Sequence, residues 1–263
     1  MKISGIYKGK IGYTPMVGDN KSGLHLIRFG LLNLPAGNSF EELNKKFETV
    51  LVILEGSCYI ECAGKIWGKI GKRKSVFESK AYAFYVPPHF KYKVTADRQR
   101  AEIAVCKTPA NIKSVPQLIT PGKVCSKKVG KANWRRNVYD IVTDNVCAEK
   151  LMVGETINPL GNWSSYPPHK HDSDNLPYES KLEELYFFRL EPEDGFGVMR
   201  VYDRNKMDEI YVIKNNDVVT IPKGYHPVGV IPGYKIYYLW VLAGEKRIMK
   251  PSDDPIYKWV KEN

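Results

Sequence analysis

His169 and His171 stand two residues apart in the stretch Gly161 to Asp172, GNWSSYPPHKHD. Thirteen residues after His171 comes Glu184, which opens the apolar run Glu184-Leu185-Tyr186-Phe187-Phe188. Ile221-Pro222-Lys223-Gly224-Tyr225-His226 then supplies a further histidine, so three of the five histidines fall in one region. Side chains on an extended strand alternate between faces, so residues two apart project the same way. His169 and His171 can therefore face one ion, and Glu184 at the start of the next strand can add an oxygen. Three imidazoles and a carboxylate suit a borderline divalent transition metal and leave positions open for water or substrate. The donor set does not choose among zinc, manganese, iron and nickel. Glu183 competes with Glu184 for the ligand role. The strand favours Glu184, which shares a face with Tyr186 and Phe188, and this reading leaves Glu183 facing away and solvated.

The elements that must position these groups read as strands. Phe47 to Ile60, FETVLVILEGSCYI, is an apolar, β-branched run broken at Glu55-Gly56, which predicts two strands and a tight turn. Ala81 to His89 is a strand stopped by two prolines, and Ala101 to Cys106 is another. Ser39 to Lys46 is read as one helical turn or a charged loop. Residues 108–136, with Pro109, Pro116, Pro121 and the basic pair Lys127-Lys128, read as a connection. Strands resume at Val138–Val142, Glu149–Thr156, Leu182–Arg189, Phe196–Asp203, Glu209–Ile213, Asp217–Ile221 and Lys235–Ala243, and a short helix is expected over Asp253 to Val260. Many short strands with regular turns indicate an all-β sandwich or barrel.

A faint repeat divides the chain. Leu51 to Gly56 followed by Tyr85-Val86-Pro87-Pro88-His89 parallels Glu184 to Phe188 followed by Val219-Thr220-Ile221-Pro222 and His226. Each half pairs an apolar strand with a later one that ends in proline and then histidine. The first half lacks a His-x-His pair, so Glu48 and His89 are expected to be structural and the metal to belong to the second half alone, one ion per chain.

The chain of 263 residues, 43% of them hydrophobic and 17 of them tyrosine, has the composition of a soluble globular protein with a substantial core. No apolar run approaches the roughly 18 residues of a membrane span. The start, MKISGIYKGKIGYTP, lacks the apolar centre of a signal peptide, which leads to an expectation of a cytoplasmic protein. Cys58, Cys62, Cys106, Cys125 and Cys147 form no C-x-x-C pair and read as free thiols. The net charge of +11 lies in residues 1–150, with 26 Lys and Arg against 12 Asp and Glu; residues 151–263 carry 14 against 17. No helix-turn-helix, zinc-finger or aromatic-basic RNA motif accompanies this excess, so neither nucleic acid nor membrane is expected as a partner. The sequence does not fix the oligomeric state and is compatible with a homo-oligomer.

His-x-His, then Glu, then a distant His in a strand-rich setting resembles the metal motif of the cupins. More narrowly, GNWSSYPPHKHD, LEELYFFR, GFGVMRVYD, VTIPKGYHPVGVIPGYKIYYLWVLAG and DDPIYKWV resemble the 5-deoxy-glucuronate isomerase family, bacterial enzymes of myo-inositol breakdown, and SVFESKAYAFYVPP extends the likeness into the first half. With the repeat, the resemblance implies a bicupin of two double-stranded β-helix (jelly-roll) barrels: residues 1–108 without a metal site, a linker over 109–136, and a metal-binding barrel over 137–263. It implies a divalent ion on His169, His171, Glu184 and His226, and an aldose–ketose isomerisation of 5-deoxy-glucuronate to 5-dehydro-2-deoxy-gluconate. Such a reaction moves a proton between neighbouring carbons and needs a general base, which the sequence does not identify among Lys170, Asp172, Arg189 and their neighbours. A uronate carries a carboxylate suited to a bidentate arginine, and Arg200, Tyr225 and Tyr237 are the candidates for binding it. Two other readings share the ligand set: another cupin enzyme, such as an iron-dependent dioxygenase or related uronate isomerase, and a non-catalytic sugar-binding cupin. Oxygen uptake would mark the dioxygenase, and saturable binding without turnover the non-catalytic cupin.

Overall fold

The computed structural model of the protein describes residues 2–5, 7–18 and 22–262. It is all-β, with short 3-10 turns as its helical elements among the described residues. Two large antiparallel sheets form its centre. The first has six strands, in the order Gln117–Ile119, Ala83–Val86, Phe47–Glu55, Ala101–Pro109, Arg28–Leu34 and Gly12–Val17. The second has seven, in the order Lys2–Ile3, Val218–Ile221, Glu183–Glu191, Lys235–Ala243, Leu151–Asn158, Arg136–Val142 and Cys125–Val129. Each faces a four-stranded sheet on its outer side. For the first half this is Ser39–Asn44, Phe90–Ala96, Cys58–Cys62 and Lys65–Ile70; for the second it is Trp163–Ser164, Val228–Val230, Gly197–Tyr202 and Asp208–Ile213. These ladders run as open sheets and close no barrel among the described residues.

The strand orders repeat. Nine consecutive strands of the first half, from Gly12–Val17 to Ala101–Pro109, occupy the same relative places as nine of the second, from Arg136–Val142 to Lys235–Ala243 once the short pair His169–Lys170 with Ser252–Asp253 is set aside. The edge position filled by Gln117–Ile119 in one large sheet is filled by Lys2–Ile3 in the other. The expected connection is thus not a bare loop. Within 109–136, Gln117–Ile119 pairs with Ala83–Val86 of the first half, and Cys125–Val129 with Arg136–Val142 of the second.

The core has three layers of contact. Leu32, Leu51, Ile60 and Val94 fill the interior of the first half, and Met152, Phe188, Met199 and Val228 that of the second. Between them the two large sheets pack face to face through Phe29, Val52, Cys106, Leu151, Phe187 and Leu239. A sheet covered on both faces has no solvent side, which explains why FETVLVILE and KIYYLWVLA read as continuous apolar runs rather than alternating ones.

Two carboxylates cross this interface in equivalent positions. Glu48 opposes Thr108 and precedes Thr49, the partner of Val86; Glu183 opposes Ala243 and precedes Glu184, the partner of Ile221. Fully buried Glu48 accepts the backbone N–H groups of Glu149, Lys150 and Leu151 at 2.8, 2.7 and 2.8 Å, with the Tyr85 hydroxyl at 2.9 Å. Glu183 accepts those of His25 and Leu26, each at 2.8 Å at its nearest. Glu183 is therefore not the solvated residue expected from alternation. It does face away from Glu184, but that side is the other half of the protein rather than water.

Two local expectations are corrected. Ser39–Asn44 is a strand, because Phe40 and Glu42 turn inward at period two: Phe40 packs near Tyr13, and Glu42 accepts the Tyr92 hydroxyl at 2.6 Å. The terminal helix shrinks to a 3-10 turn, Lys258–Lys261, because Ser252–Asp253 is drawn into a pairing with His169–Lys170. The five cysteines are free, as the spacings imply.

Glu48→Ala strands three backbone donors and a hydroxyl at the inter-half contact. At about 1–3 kcal/mol for each unsatisfied buried donor, the loss is at least about 3 kcal/mol. This corresponds to a fall in melting midpoint of roughly 6–12 °C for a chain of this size. Thermal denaturation followed by circular dichroism measures it, and an unchanged midpoint would refute this role.

Candidate metal centre

The structure gathers His171, Glu184 and His226 inside the second half, with one ligand atom from each within 4.8 Å of the others. All three are buried, at 2%, 4% and 0% exposure. His171 Nε2 lies 3.0 Å and His226 Nε2 3.2 Å from Glu184 Oε2. His169 stands beside them, its ring centroid 4.8 Å from that of His226 and 6.4 Å from that of His171. All four predicted ligands therefore belong to one cluster, with His169 outside the tightest trio.

Each is held by local structure. Glu184 sits near the start of Glu183–Glu191 on the face it shares with Tyr186 and Phe188, both of which pack in the second interior. The segment carrying His169 and His171 is only briefly a strand, so it is tied down from several directions. His169 and Lys170 pair with Asp253 and Ser252; the Asp254 N–H donates to the Pro168 carbonyl at 2.8 Å; and the Leu182 N–H donates to the His171 carbonyl at 2.9 Å. Lys170 projects away from the cluster to Glu179, 3.0 Å distant, and Glu179 also accepts the N–H groups of Asp172 and Ser173. His226 follows Gly224, whose φ of +96° strains any side chain and whose Cβ would meet the Tyr202 carbonyl at 2.8 Å. The Gly224 N–H donates to Asp172 Oδ1 at 2.7 Å, joining the two histidine segments and occupying one oxygen of a carboxylate weighed above as a base.

The histidine tautomers follow from their partners. His171 Nδ1 is 2.7 Å from the Leu182 carbonyl and His226 Nδ1 2.8 Å from the Gly224 carbonyl. A carbonyl only accepts, so each Nδ1 carries its hydrogen and each Nε2 is turned toward Glu184. His226 Nε2 is buried without a hydrogen-bond partner: although 3.2 Å from Glu184, it is not aligned for a bond. Backbone-anchored imidazoles with inward Nε2 atoms, an orphaned buried nitrogen and a facing carboxylate fit a divalent cation. Burial raises the Glu184 carboxyl, but the hydrogen bond from His171 and the close approach of both His171 and His226 outweigh it and hold the group at about 2. Burial lowers His171, yet its bond to Glu184 carries it above the usual histidine value; burial and the neighbouring His226 push His169 well below.

The candidates for substrate binding are placed differently. Arg200 alternates with Met199 and Val201 of the interior, so it lies on the outer face, doubly bonded to Asp208 at 2.7 and 2.8 Å. Tyr225 precedes His226 and packs on Tyr202, ring centroids 5.2 Å apart, beside an outer groove with Lys170 and Asp172. The expectation for Tyr237 is corrected. Its register partner is Arg189, on the face opposite Glu184, and its hydroxyl donates to Glu155 at 2.8 Å between the halves, where Arg73 also binds. The neighbour Tyr238 is the one that turns inward, its hydroxyl on Ser164 and its ring centroid 4.3 Å from that of Tyr186. Tyr186, whose hydroxyl meets Ser165 at 2.9 Å, lies 5.8 Å from the His226 ring. The alternation that selected Glu184 also marks Tyr186 as an inward residue; Ser164 and Ser165 carry no such signal.

The profile of the KduI/IolB family matches residues 4–260. The chain belongs to the KduI/IolB family. It is 43% identical over 243 residues to the 5-deoxy-glucuronate isomerase of Geobacillus kaustophilus, covering 92% of this chain and 88% of that protein. It is 39% identical over 246 residues to the 5-deoxy-glucuronate isomerase of Bacillus subtilis strain 168, covering 92% and 90%. The crystal structure of an IolB-like protein from Salmonella typhimurium superposes with a TM-score of 0.93 at 35% identity, over 97% of both chains. A single-site mutant of Bacillus subtilis oxalate decarboxylase superposes with a TM-score of 0.64 at 9% identity over 93% of this chain and 76% of that one, which places this member of the KduI/IolB family in a cupin-like fold.

Replacing His171 or His226 by Ala, or Glu184 by Gln, should lower affinity for a divalent ion by at least about 10–100-fold, the range seen for loss of mere supporting partners. Glu183→Gln should leave metal content intact and lower the melting midpoint instead. Metal analysis by mass spectrometry beside thermal denaturation separates the two carboxylates, and a metal-depleted Glu183→Gln with a full complement in Glu184→Gln would reverse the assignment.

Proposed function

We propose that this protein is a metal-dependent aldose–ketose isomerase that converts 5-deoxy-D-glucuronate to 5-dehydro-2-deoxy-D-gluconate in the breakdown of myo-inositol. The observation that carries the reading is the buried His171–Glu184–His226 cluster, within a chain that aligns over about nine-tenths of its length with 5-deoxy-glucuronate isomerases. His169, His171, Glu184 and His226 would hold one divalent ion, zinc, manganese, iron or nickel by ligand chemistry. Bound there, such an ion supplies Lewis acidity to adjacent sugar oxygens. The chain's own contribution is to fix the imidazoles through the Leu182 and Gly224 carbonyls, to keep Glu184 ionised, and to line the interior beside the cluster with the Tyr186 and Tyr238 hydroxyls. In this reading the chain is two cupin units, residues 1–108 and 137–263 joined through 109–136, with the ion in the second alone, acting in the cytoplasm on a small soluble sugar acid.

The purified protein incubated with 5-deoxy-D-glucuronate in deuterated water should form the keto acid and exchange the hydrogen on the carbon next to the carbonyl, both visible by proton NMR. Turnover should persist without oxygen, fall on treatment with a chelator, and return with one of the four metals. Absence of product with every metal would end the isomerase reading, and an absolute need for oxygen would favour a dioxygenase.

A further inference from the structure

The substrate proposed above carries a negative charge that some cation must meet inside the second half. Arg200 is poorly suited, because its guanidinium already lies flat against Asp208 on the outer face. Arg189 turns the other way, to Glu102, and Arg73 is bound by Glu155. Arg136 differs from these. It opens the strand Arg136–Val142, two residues before Val138, which packs against the second interior, so its side chain leaves the sheet on the inward face. Val138 pairs with Thr156, and Thr156 with Tyr238, which brings this end of the strand to the inward tyrosine.

The surroundings of Arg136 give it hydrogen bonds but no ion pair; Asp253, whose charge reaches it, is itself paired with Lys261. One terminal nitrogen donates to the Tyr166 carbonyl at 2.9 Å and to the Trp134 carbonyl at 3.4 Å, and the guanidinium lies 5.8 Å from the centre of the Trp134 ring. No bond to its Nε or other terminal nitrogen, and no carboxylate at ion-pairing distance, is found among the described residues. Burial pushes its pKa down, and its charge is felt at Tyr238, Tyr186 and His169. Trp134 and Tyr166, which Arg136 touches, also wall an aromatic cleft with Pro168 and Pro227, the chain neighbours of His169 and His226; Arg200 lines the same cleft, but with its guanidinium committed to Asp208. A cation taken from water without an anion is costly unless one arrives with a ligand, and the unused edge of a guanidinium matches a carboxylate with two parallel bonds.

We propose that Arg136 binds the carboxylate of the substrate while the carbonyl end of the sugar lies against the His/Glu cluster, an assignment that rests on the isomerase reading above. Arg136 then sets specificity: it selects a uronate over the neutral sugar of the same carbon skeleton, and it fixes which end of the molecule meets the cluster.

The experiment measures kcat and KM of the metal-loaded enzyme and of Arg136→Gln and Arg136→Lys, for 5-deoxy-D-glucuronate and for 5-deoxy-D-glucose, which has a hydroxymethyl group in place of the carboxylate. Loss of a bond to a charged group should raise the KM for the uronate by about 10–100-fold in Arg136→Gln, and less in Arg136→Lys. The preference for uronate over neutral sugar should collapse by the same factor, with metal content unchanged. An unaltered KM and an unaltered preference in Arg136→Gln would overturn the proposal, as would a raised KM in Arg200→Gln alone. If the variants fail to fold, the unaltered protein decides: equal KM values for the two sugars would also overturn it. Should the wild type turn over neither sugar, the isomerase reading fails by itself. Calorimetric titration with D-glucuronate then tests the anchor, which stands if binding is lost in Arg136→Gln and falls if wild type and variant bind alike.

Discussion

The packing of the two large sheets against one another is the contact on which both halves depend. Each sheet is apolar on its two faces, so neither is stable in water alone, and the shared layer of Phe29, Val52, Phe187 and Leu239 removes both from solvent at once. Apolar packing has no direction, and it would tolerate sliding. Direction comes from the polar groups set into it. Glu48 grips the backbone where Leu151–Asn158 begins, Glu183 grips the backbone just before Arg28–Leu34, and Arg73 reaches across to Glu155. Because Glu48 and Glu183 are equivalent in the repeated strand order, the interface is pinned reciprocally, at one point from each side.

The candidate centre inherits its position from that interface. Glu183 and Glu184 are consecutive on one strand and so face opposite ways: one holds the other half of the protein, the next faces the histidines. Fixing the first fixes the height and tilt of the second. The histidine segments, which have little regular structure, are then tied to this frame by Leu182, Gly224, Asp172 and the Ser252–Asp253 pairing. The cluster draws on residues spread from 169 to 254, yet each is anchored within one or two residues of a ladder or a buried carboxylate.

Much of this was legible in the sequence, because strand period and ligand chemistry are local properties. His169, His171, Glu184 and His226 converge as their types and spacing imply, and the apolar runs became strands. What was hidden depended on partners distant in the chain. Ser39–Asn44 resembles a charged loop until Phe90–Ala96 is beside it. Glu183 looks like a solvated residue until the segment at His25 is placed over it. Tyr237 and Tyr238 are indistinguishable by type, and only the register with Arg189 and Phe188 decides which one faces inward. Arg136 was concealed by its setting, a basic stretch within an expected connection, where a half-buried cation and a solvated one look alike.

The first strand, Lys2–Ile3, lies at the edge of the sheet that contains Glu184, against Val218–Ile221, with Lys2 3.0 Å from Asp217. Its counterpart in the other sheet, Gln117–Ile119, comes from the end of its own half. The order of synthesis therefore differs for the two sheets. The six-stranded sheet is complete once residue 119 has left the ribosome, whereas Lys2–Ile3 must wait for more than two hundred further residues before its partner exists. Until then the nascent chain carries a short unpaired strand. Once the partner arrives, that strand shields the backbone edge of Val218–Ile221, which leads directly into the turn that carries His226.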